Sequence, residues 1–273
     1  MIGQRDLVHR ISEQISRNKF PRFTILIGES GSGKKTMALE IAKQLNGISV
    51  ISNTKVDFIR EIIDMSYKVV DTTIYIIPDC DNMSSAAANA LLKVTEEPPN
   101  NAYFILTCEN ADNLLNTIKS RGVTYMLEPY SYEDKCDYID TLADRISDDD
   151  MEFMLAVATN PGDINKFKSM DIKAFTDYVK LVIDNIAEVS GSNAFKIADK
   201  IALKDEEDKY NLKLFWRAFS AICVDKMTTE DDPLKYARAV AITGDSLQQL
   251  VIKGINRTML FDTWLLDIRS EWL

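Results

Sequence analysis

The sequence predicts an α/β domain with a parallel sheet, followed by an all-helical region. One observation is the run Gly28 to Thr36, a glycine-rich segment between an apolar strand-like stretch and a helix-like one. A second is that β-branched segments alternate with helical patterns as far as residue 127, which is typical of a parallel sheet with helices on both faces. A third is that this alternation stops at Glu128-Pro129, after which the apolar spacing is helical.

Composition restricts the function classes. The 273 residues are 46% hydrophobic and 27% charged, which suits a globular protein of two or three domains. No run approaches the roughly 18 apolar residues of a membrane span, and the N-terminus lacks a signal-peptide pattern, so we expect a cytoplasmic protein without membrane contact. The net charge of −10 argues against strong autonomous binding of nucleic acid, although residues 1–43 hold eight Lys/Arg against four Asp/Glu.

The cysteines give no sign of a metal site. Cys80, Cys108, Cys136 and Cys223 lie far apart without a CxxC pair, and His9 is the only histidine of the sequence. We therefore expect reduced, mostly buried thiols, with neither zinc nor a disulfide framework.

The predicted elements of the first domain follow one another in strand and helix order. The strand segments are 23–27, 48–52, 73–77, 103–107 and 123–127. Helical patterns precede or separate them, and the fourth helix begins at Ser84 or Ser85 and is ended by Pro98-Pro99. In a sheet of this type, ligands bind at the carboxyl ends of the strands.

The remaining chain divides into two predicted helical domains. From 128 to 170 we predict a small lid with two helical segments separated by Asp148-Asp149-Asp150, and a third helix that starts near Asn160. From 171 to 273 the pattern is helical, with predicted breaks that include Thr228 to Pro233 and Thr243-Gly244-Asp245. The predicted domains are thus 1–127, 128–170 and 171–273.

The glycine-rich run is a P-loop with one departure. Its glycines, which permit close approach of the backbone to a phosphate, are Gly28, Gly31 and Gly33. Lys34 would reach the β- and γ-phosphates. Lys35 stands where a Ser or Thr normally ligates Mg²⁺, and Thr36 follows one place late, about 100° further around the helix. ATP and Mg²⁺ are candidate ligands, and hydrolysis depends on this position.

The end of the third strand also lacks a residue that a hydrolytic P-loop enzyme uses to handle its metal ion. A hydrolytic P-loop enzyme presents an acidic pair there, one residue for the metal ion and one for water. Pro78 stands at the place of the metal-binding aspartate, and Asp79 at that of the catalytic carboxylate. Asp79 is either a neighbour of a bound metal ion or an ordinary loop carboxylate.

Arg121 is a third candidate. It lies between a helix and the last strand, at the edge of the domain, where it would reach the γ-phosphate of a neighbouring subunit and stabilise transition-state charge. The alternative is an arginine in a surface salt bridge.

The segment from Tyr75 to Pro99, followed by Phe104 to Thr107 and Thr117 to Arg121, resembles the AAA+ subunits of bacterial sliding-clamp loaders. The Ala-Asn-Ala-Leu-Leu-Lys and Glu-Glu-Pro-Pro elements at this distance from a P-loop are specific to them, and the opening Ile2-Gly3-Gln4 also matches. Within this family the sequence is most similar to delta-prime subunits of DNA polymerase III.

The resemblance implies a RecA-like AAA+ domain, a helical lid and an all-α collar through which five subunits join in a ring. The implied partners are motor ATPase and delta-type subunits, the sliding clamp and, weakly, primer-template DNA. Delta-prime subunits are stators that often lack a working ATP site. By the same resemblance Arg121 would act on the ATP of the adjacent motor subunit, as an arginine finger.

Three departures from the family pattern accompany this resemblance. Gly122 replaces the cysteine that follows the arginine, the zinc-binding insertion is absent, and Pro161-Gly162-Asp163 lacks the arginine with which motor subunits sense nucleotide. An active clamp-loader ATPase that uses Lys34, Thr36 and Asp79 is the rival interpretation. A P-loop kinase of nucleotides or small molecules is disfavoured, because the last hundred residues carry no acceptor-site signature.

Overall fold

Five short apolar segments form one parallel sheet in the computed structural model, which describes residues 2–142, 146–186, 206–252 and 254–272. The strands are β1 (Phe23–Ile27), β2 (Ile48–Ile51), β3 (Thr73–Ile77), β4 (Ala102–Cys108) and β5 (Val123–Met126). Their order is β2-β3-β4-β1-β5, and all four neighbouring pairs are parallel. The predicted parallel sheet is confirmed, and β5 is one of its two edges.

Helices cover both faces of this sheet. They are α1 (Arg5–Ser16), α2 (Lys34–Gln44), α3 (Val56–Ser66), α4 (Ser85–Glu96) and α5 (Asn116–Lys119). A further helix, α6 (Tyr132–Asp140), follows β5 in the chain. Ile25 belongs to a core with residues of α3, α4 and α5, whereas its neighbour Leu26 belongs to a second core with residues of α1 and α2. Alternate residues of a strand point to opposite faces, so both faces are buried.

The N-terminus of α4 is set by Ser84, one of the two predicted caps. The Ser84 hydroxyl oxygen accepts a hydrogen bond from the backbone N–H of Ala87 at 3.2 Å. This bond satisfies one of the N–H groups that a helix leaves without an intrahelical partner. The Glu-Glu-Pro-Pro element then ends the helix, because Glu96 is its last residue and two prolines follow Glu97.

The described part of the chain beyond residue 131 contains helices and no strand, as predicted. These further helices are α7 (Asp148–Val157), α8 (Pro161–Lys168), α9 (Ile172–Asn185), α10 (Glu206–Thr229), α11 (Pro233–Gln249) and α12 (Arg257–Trp272). Aromatic side chains of α10 and α12 form a buried cluster, with Trp216 and Trp264 at ring-centroid contact of 5.8 Å. The predicted break near residues 228 to 233 is confirmed, since α10 ends at Thr229 and α11 begins at Pro233.

One predicted break is misplaced and one is wrong. The first two lid helices are separate as predicted, but the separation lies before residue 148, since α6 ends at Asp140 and α7 begins at Asp148. Asp148-Asp149-Asp150 forms the first turn of α7, where the Ser147 side chain caps the helix and carboxylates interact favourably with the positive end of the helix dipole. Helix α11 runs through Thr243-Gly244-Asp245. The buried Thr243 hydroxyl donates to the carbonyl of Ala239 and accepts from the Trp264 indole, so packing holds this segment helical against the low propensity of glycine.

The chain divides into two compact units, Met1–Tyr138 and Ile139–Leu273. The predicted division at residues 127 and 170 stays a prediction, and part of its third domain, residues 187–205, lies outside the described residues. Among the described helices, none combines the length and the apolar character that crossing a membrane requires.

Candidate functional site

The P-loop joins the carboxyl end of β1 to the amino end of α2. Gly31 and Gly33 have φ angles of 80° and 91°, in the left-handed region that glycine adopts without steric cost. Gly33 is the residue that precedes α2, and Lys34 is the first residue of the helix. The backbone N–H groups of this first helical turn have no intrahelical partners, which is the geometry that binds anions in P-loops.

The P-loop packs closely against residues that follow β5, namely Leu127 and Tyr130. A Cβ atom on Gly28 would lie 2.7 Å from the Ser32 hydroxyl oxygen and 3.1 Å from the Cβ of Leu127, so a larger residue would displace its neighbours. The buried Tyr130 hydroxyl donates to the carbonyl oxygen of Ser32 at 2.9 Å. Burial raises the pKa of Tyr130 to about 12, which keeps this donor protonated. The sequence did not single out Tyr130, because nothing local links it to a loop almost a hundred residues earlier.

Lys34 is buried and held by the loop itself. Its Nζ donates to the carbonyl oxygens of Gly28 at 2.7 Å and Glu29 at 2.8 Å. Burial lowers the pKa of Lys34 below its ordinary value, and the nearby carboxylates of Glu109 and Asp79 oppose this shift. The ammonium therefore lies in a negatively charged setting, which weakens its attraction for a phosphate.

The two residues that follow Lys34 lie at the helix surface. Lys35 and Thr36 are exposed, whereas Lys34 and Met37 on the same turn are buried. A lysine side chain cannot ligate Mg²⁺, so the hydroxyl of Thr36 is the oxygen that this turn offers to a metal ion.

Asp79 begins the connection after β3 in an unusual conformation. Its φ of 54° lies in the left-handed region, its side chain is exposed, and its backbone N–H donates to the Thr107 hydroxyl oxygen at 3.3 Å. Its charge raises the pKa of Lys34, which indicates that the two groups are near each other. The structure thus brings Asp79 to the same end of the sheet as the P-loop.

Asp81 has a structural function that sequence reasoning missed. Its carboxylate accepts hydrogen bonds from the backbone N–H groups of Glu109 at 2.7 Å and Asn110 at 2.9 Å, and from the Asn113 amide at 3.4 Å. These bonds join the end of β3 to the end of β4 and fix the backbone that carries Glu109. The sequence signal that could have drawn attention to Asp81 is its position as a second carboxylate, two residues after Asp79.

Arg121 lies at the other end of the sheet. It precedes β5, whose residues pair in parallel with β1, so it lies at the amino end of the strands while the P-loop follows their carboxyl end. Its Nη1 donates to the Thr117 carbonyl oxygen at 2.9 Å, and its Nη2 forms an ion pair with Glu96 at 2.7 Å. The surface salt bridge that was the alternative for Arg121 is therefore present.

Packing around Gly122 leaves no room for a larger side chain at this position. A Cβ atom there would lie 2.7 Å from Cδ1 of Ile25 and 3.1 Å from Cδ1 of Phe23, both residues of β1. A side chain at this position would push these core residues apart, which explains the departure from the family pattern locally.

The opening Ile2-Gly3-Gln4 is fixed beside the end of β5. The Gln4 side chain donates to the Glu128 carbonyl oxygen at 2.7 Å and accepts from the Glu128 N–H at 2.8 Å. Gly3 has a φ of 65°, and a Cβ atom on it would lie 2.7 Å from the Tyr130 ring. These contacts explain why glycine and glutamine occupy the two positions.

In the second unit, Asp163 is fully buried. Its carboxylate forms an ion pair with Arg217 of α10 at 2.8 Å and accepts from the Thr159 N–H at 2.8 Å. Asn160 caps the helix by accepting from the N–H groups of Gly162 and Asp163. The Pro161-Gly162-Asp163 element thus presents a buried carboxylate at the start of α8.

Comparisons with known proteins agree with this geometry. A family model described as DNA polymerase III, delta subunit, matches residues 47–131. The DNA polymerase III subunit gamma of Buchnera aphidicola subsp. Schizaphis graminum is 33% identical over 165 residues, covering 49% of this chain and 46% of the relative. The replication factor C small subunit of Haloarcula marismortui is 26% identical over 156 residues, covering 52% of this chain and 48% of the relative.

The chain spans about half the length of these curated relatives. Among solved structures, a DNA polymerase III gamma subunit-related protein from Thermotoga maritima matches with a TM-score of 0.54, covering 97% of this chain and 99% of that chain at 18% identity. At this identity the structural match shows a shared fold. The chain therefore has a AAA+ fold, and about half of its sequence is similar to DNA polymerase III gamma subunits and replication factor C small subunits.

Proposed function

We propose that this chain is a stator-like, delta-prime-type subunit of a DNA polymerase III clamp loader. It helps to load the sliding clamp onto primed DNA, it does not hydrolyse ATP itself, and it supplies Arg121 to the ATP of a neighbouring motor subunit. The observation that carries this proposal is the position of Arg121. The arginine and the P-loop of the same chain are separated along the sheet by the four paired residues of β1 and β5, about 13 Å.

The residues around the P-loop support the absence of hydrolysis. Lys35 removes the usual Mg²⁺ ligand, and Pro78 removes the metal-binding carboxylate after β3. Glu109 adds negative charge near Lys34, where an ATP phosphate would have to bind. We propose that ATP and Mg²⁺ bind weakly at Gly28 to Thr36 and Asp79, and that they are not turned over there.

The proposed partners are the other subunits of a pentameric ring, of motor ATPase and delta type, together with the sliding clamp. The helical second unit would supply the collar that joins them. Primer-template DNA would be touched weakly and in a salt-sensitive way by the basic residues within 1–43, because the chain as a whole is acidic.

The test is an Arg121→Ala variant in the reconstituted clamp loader. We expect assembly to be intact and the ATPase rate with clamp and primed DNA to fall by up to about 10³-fold, the effect typical of an arginine finger. Sites that do not depend on this chain would make the measured fall smaller. Arg60→Ala, which removes an exposed arginine from α3, is the matched control and should leave the rate unchanged. An unchanged rate in Arg121→Ala would refute the finger.

An active ATPase is the second candidate, and the conformation of the loop favours it. Gly31 and Gly33 hold the left-handed angles that a phosphate cradle needs, and Lys34 lies against the loop. Purified chain with clamp and primed DNA would then hydrolyse ATP at a rate that Lys34→Ala abolishes. We expect no such turnover, and finding it would refute the stator proposal.

A further inference from the structure

We propose that Glu96 is a positioning residue for Arg121, which it holds in the orientation needed to meet the phosphate of a neighbouring chain. This inference rests on the proposed function of Arg121 in trans and adds a second residue to it. The guanidinium is held at two points, by the Thr117 carbonyl oxygen at 2.9 Å and by the Glu96 carboxylate at 2.7 Å.

The two anchors come from different elements of one rigid core. Thr117 belongs to α5, and Glu96 is the last residue of α4. These helices contribute Leu91, Val94 and Ile118 to the same buried cluster, so their relative position is fixed by packing. Helix α4 ends at this anchor, and Pro98-Pro99, which follow Glu97, prevent it from continuing. The ion pair therefore links Arg121 to a well-defined point of the fold.

Stabilisation of the fold does not explain this ion pair. The Arg121 and Glu96 side chains are 34% and 57% exposed, and ion pairs this open to water contribute little to folding. What the pair does is restrict a long side chain that otherwise samples many rotamers. Orienting a charged group before the reaction is one of the main ways in which a protein accelerates phosphoryl transfer.

The geometry also leaves donors for the phosphate. A guanidinium has five N–H groups, and the two anchors use one on Nη1 and one on Nη2. Within the described part of the chain the other three have no acceptor, and they stay available to phosphate oxygens while the anchors are kept. Arg121 can therefore act on a neighbouring ATP without release from Glu96.

Three variants in the reconstituted clamp loader test this role by steady-state ATPase kinetics. Glu96→Ala should lower kcat about tenfold with KM for ATP unchanged, because a misplaced arginine weakens the transition state and leaves ground-state binding intact. Glu96→Gln keeps an oxygen that accepts from Nη2, and its kcat should stay within about twofold of the parent. Glu97→Ala removes the adjacent exposed glutamate and should change neither constant.

A double variant separates this inference from the proposed function. Because Glu96 acts through Arg121, Arg121→Ala with Glu96→Ala should be no slower than Arg121→Ala alone. If Arg121→Ala lowers kcat and Glu96→Ala does not, the positioning role is refuted and the finger stands. An equal loss in Glu96→Gln and Glu96→Ala would also refute positioning by this hydrogen bond. If Arg121→Ala itself has no effect, the proposed function fails first.

Discussion

At the scale of single residues, Glu109 is the carboxylate with the largest effect on Lys34 of the P-loop. Its backbone N–H is held by the carboxylate of Asp81, which fixes its place at the end of β4. Its charge is the largest of the carboxylate effects on the pKa of Lys34. A triphosphate at this loop would meet a negative charge beside the lysine that should attract it.

Replacing this charge should strengthen nucleotide binding. In Glu109→Gln we expect the affinity of the isolated chain for ATP to rise about tenfold, or about 1.4 kcal/mol, because one repulsive charge is removed near the phosphates. Isothermal titration with ATP and Mg²⁺ measures it. Asp112→Asn removes an exposed carboxylate three residues away and should leave the affinity unchanged. A Glu109→Gln affinity equal to that of the parent would contradict this account of the loop.

At the scale of elements, α11 shows how packing overrides a local break signal. Its Thr243 and Ser246 are buried, and the Thr243 hydroxyl pairs with the indole of Trp264 on α12. Outside the backbone of its own helix and its chain neighbours, no atom of the described residues lies within 4 Å of the place where a Cβ on Gly244 would be. The glycine is therefore not required for space, and its backbone is already helical.

Gly244→Ala should stabilise the protein. Alanine restricts the unfolded chain and favours the helix, which is worth about 0.5 to 1 kcal/mol at a site without a clash. Urea unfolding followed by circular dichroism measures the change. Gly47→Ala is the comparison with the opposite expected sign. Its Cβ would lie 2.9 Å from the Thr72 carbonyl oxygen, so this variant should lower the stability of the protein. A lower stability for Gly244→Ala would show that this helix interior is packed differently.

At the scale of the whole molecule, each unit has a core of its own kind. The first is a sheet with apolar clusters on both faces, and the second is a set of helices around buried aromatic rings. The second unit also contains a buried ion pair, Asp163 with Arg217, whose side chains are 0% and 12% exposed. This pair joins α8 to α10, so it connects segments that the sequence analysis assigned to separate lid and collar domains.

Breaking this pair from one side should be costly. Asp163→Ala removes the fully buried carboxylate that pairs with Arg217 at 2.8 Å, and we expect a loss of about 3 kcal/mol in the free energy of unfolding. Asp184→Ala breaks an ion pair to Lys226 in the same unit in which Asp184 is 59% exposed, and it should cost less than about 1 kcal/mol. Equal costs in urea unfolding would contradict the assigned function of the buried pair.

The sheet and the P-loop could be predicted closely because their signals are local. Strand β3 was found as five apolar or β-branched residues, and the loop from three glycines and a lysine. The break predicted at Gly244 was wrong because the bond that holds Thr243 comes from another helix. Tyr130 and Asp81 were missed for the same reason, since their partners lie far away in the chain.

The sequence by itself determined the α/β class, the P-loop with Lys35 at the usual Ser or Thr position, and Arg121 before the last strand. These features can be read from short segments, because they depend only on residue type and on the spacing of apolar residues. Tertiary structure alone decided what those residues contact. It gave Arg121 a carboxylate partner 25 residues away, put Glu109 near Lys34, and set the arginine and the loop at opposite ends of one sheet. Such pairings depend on which strands are neighbours, and that is fixed only when the whole core packs.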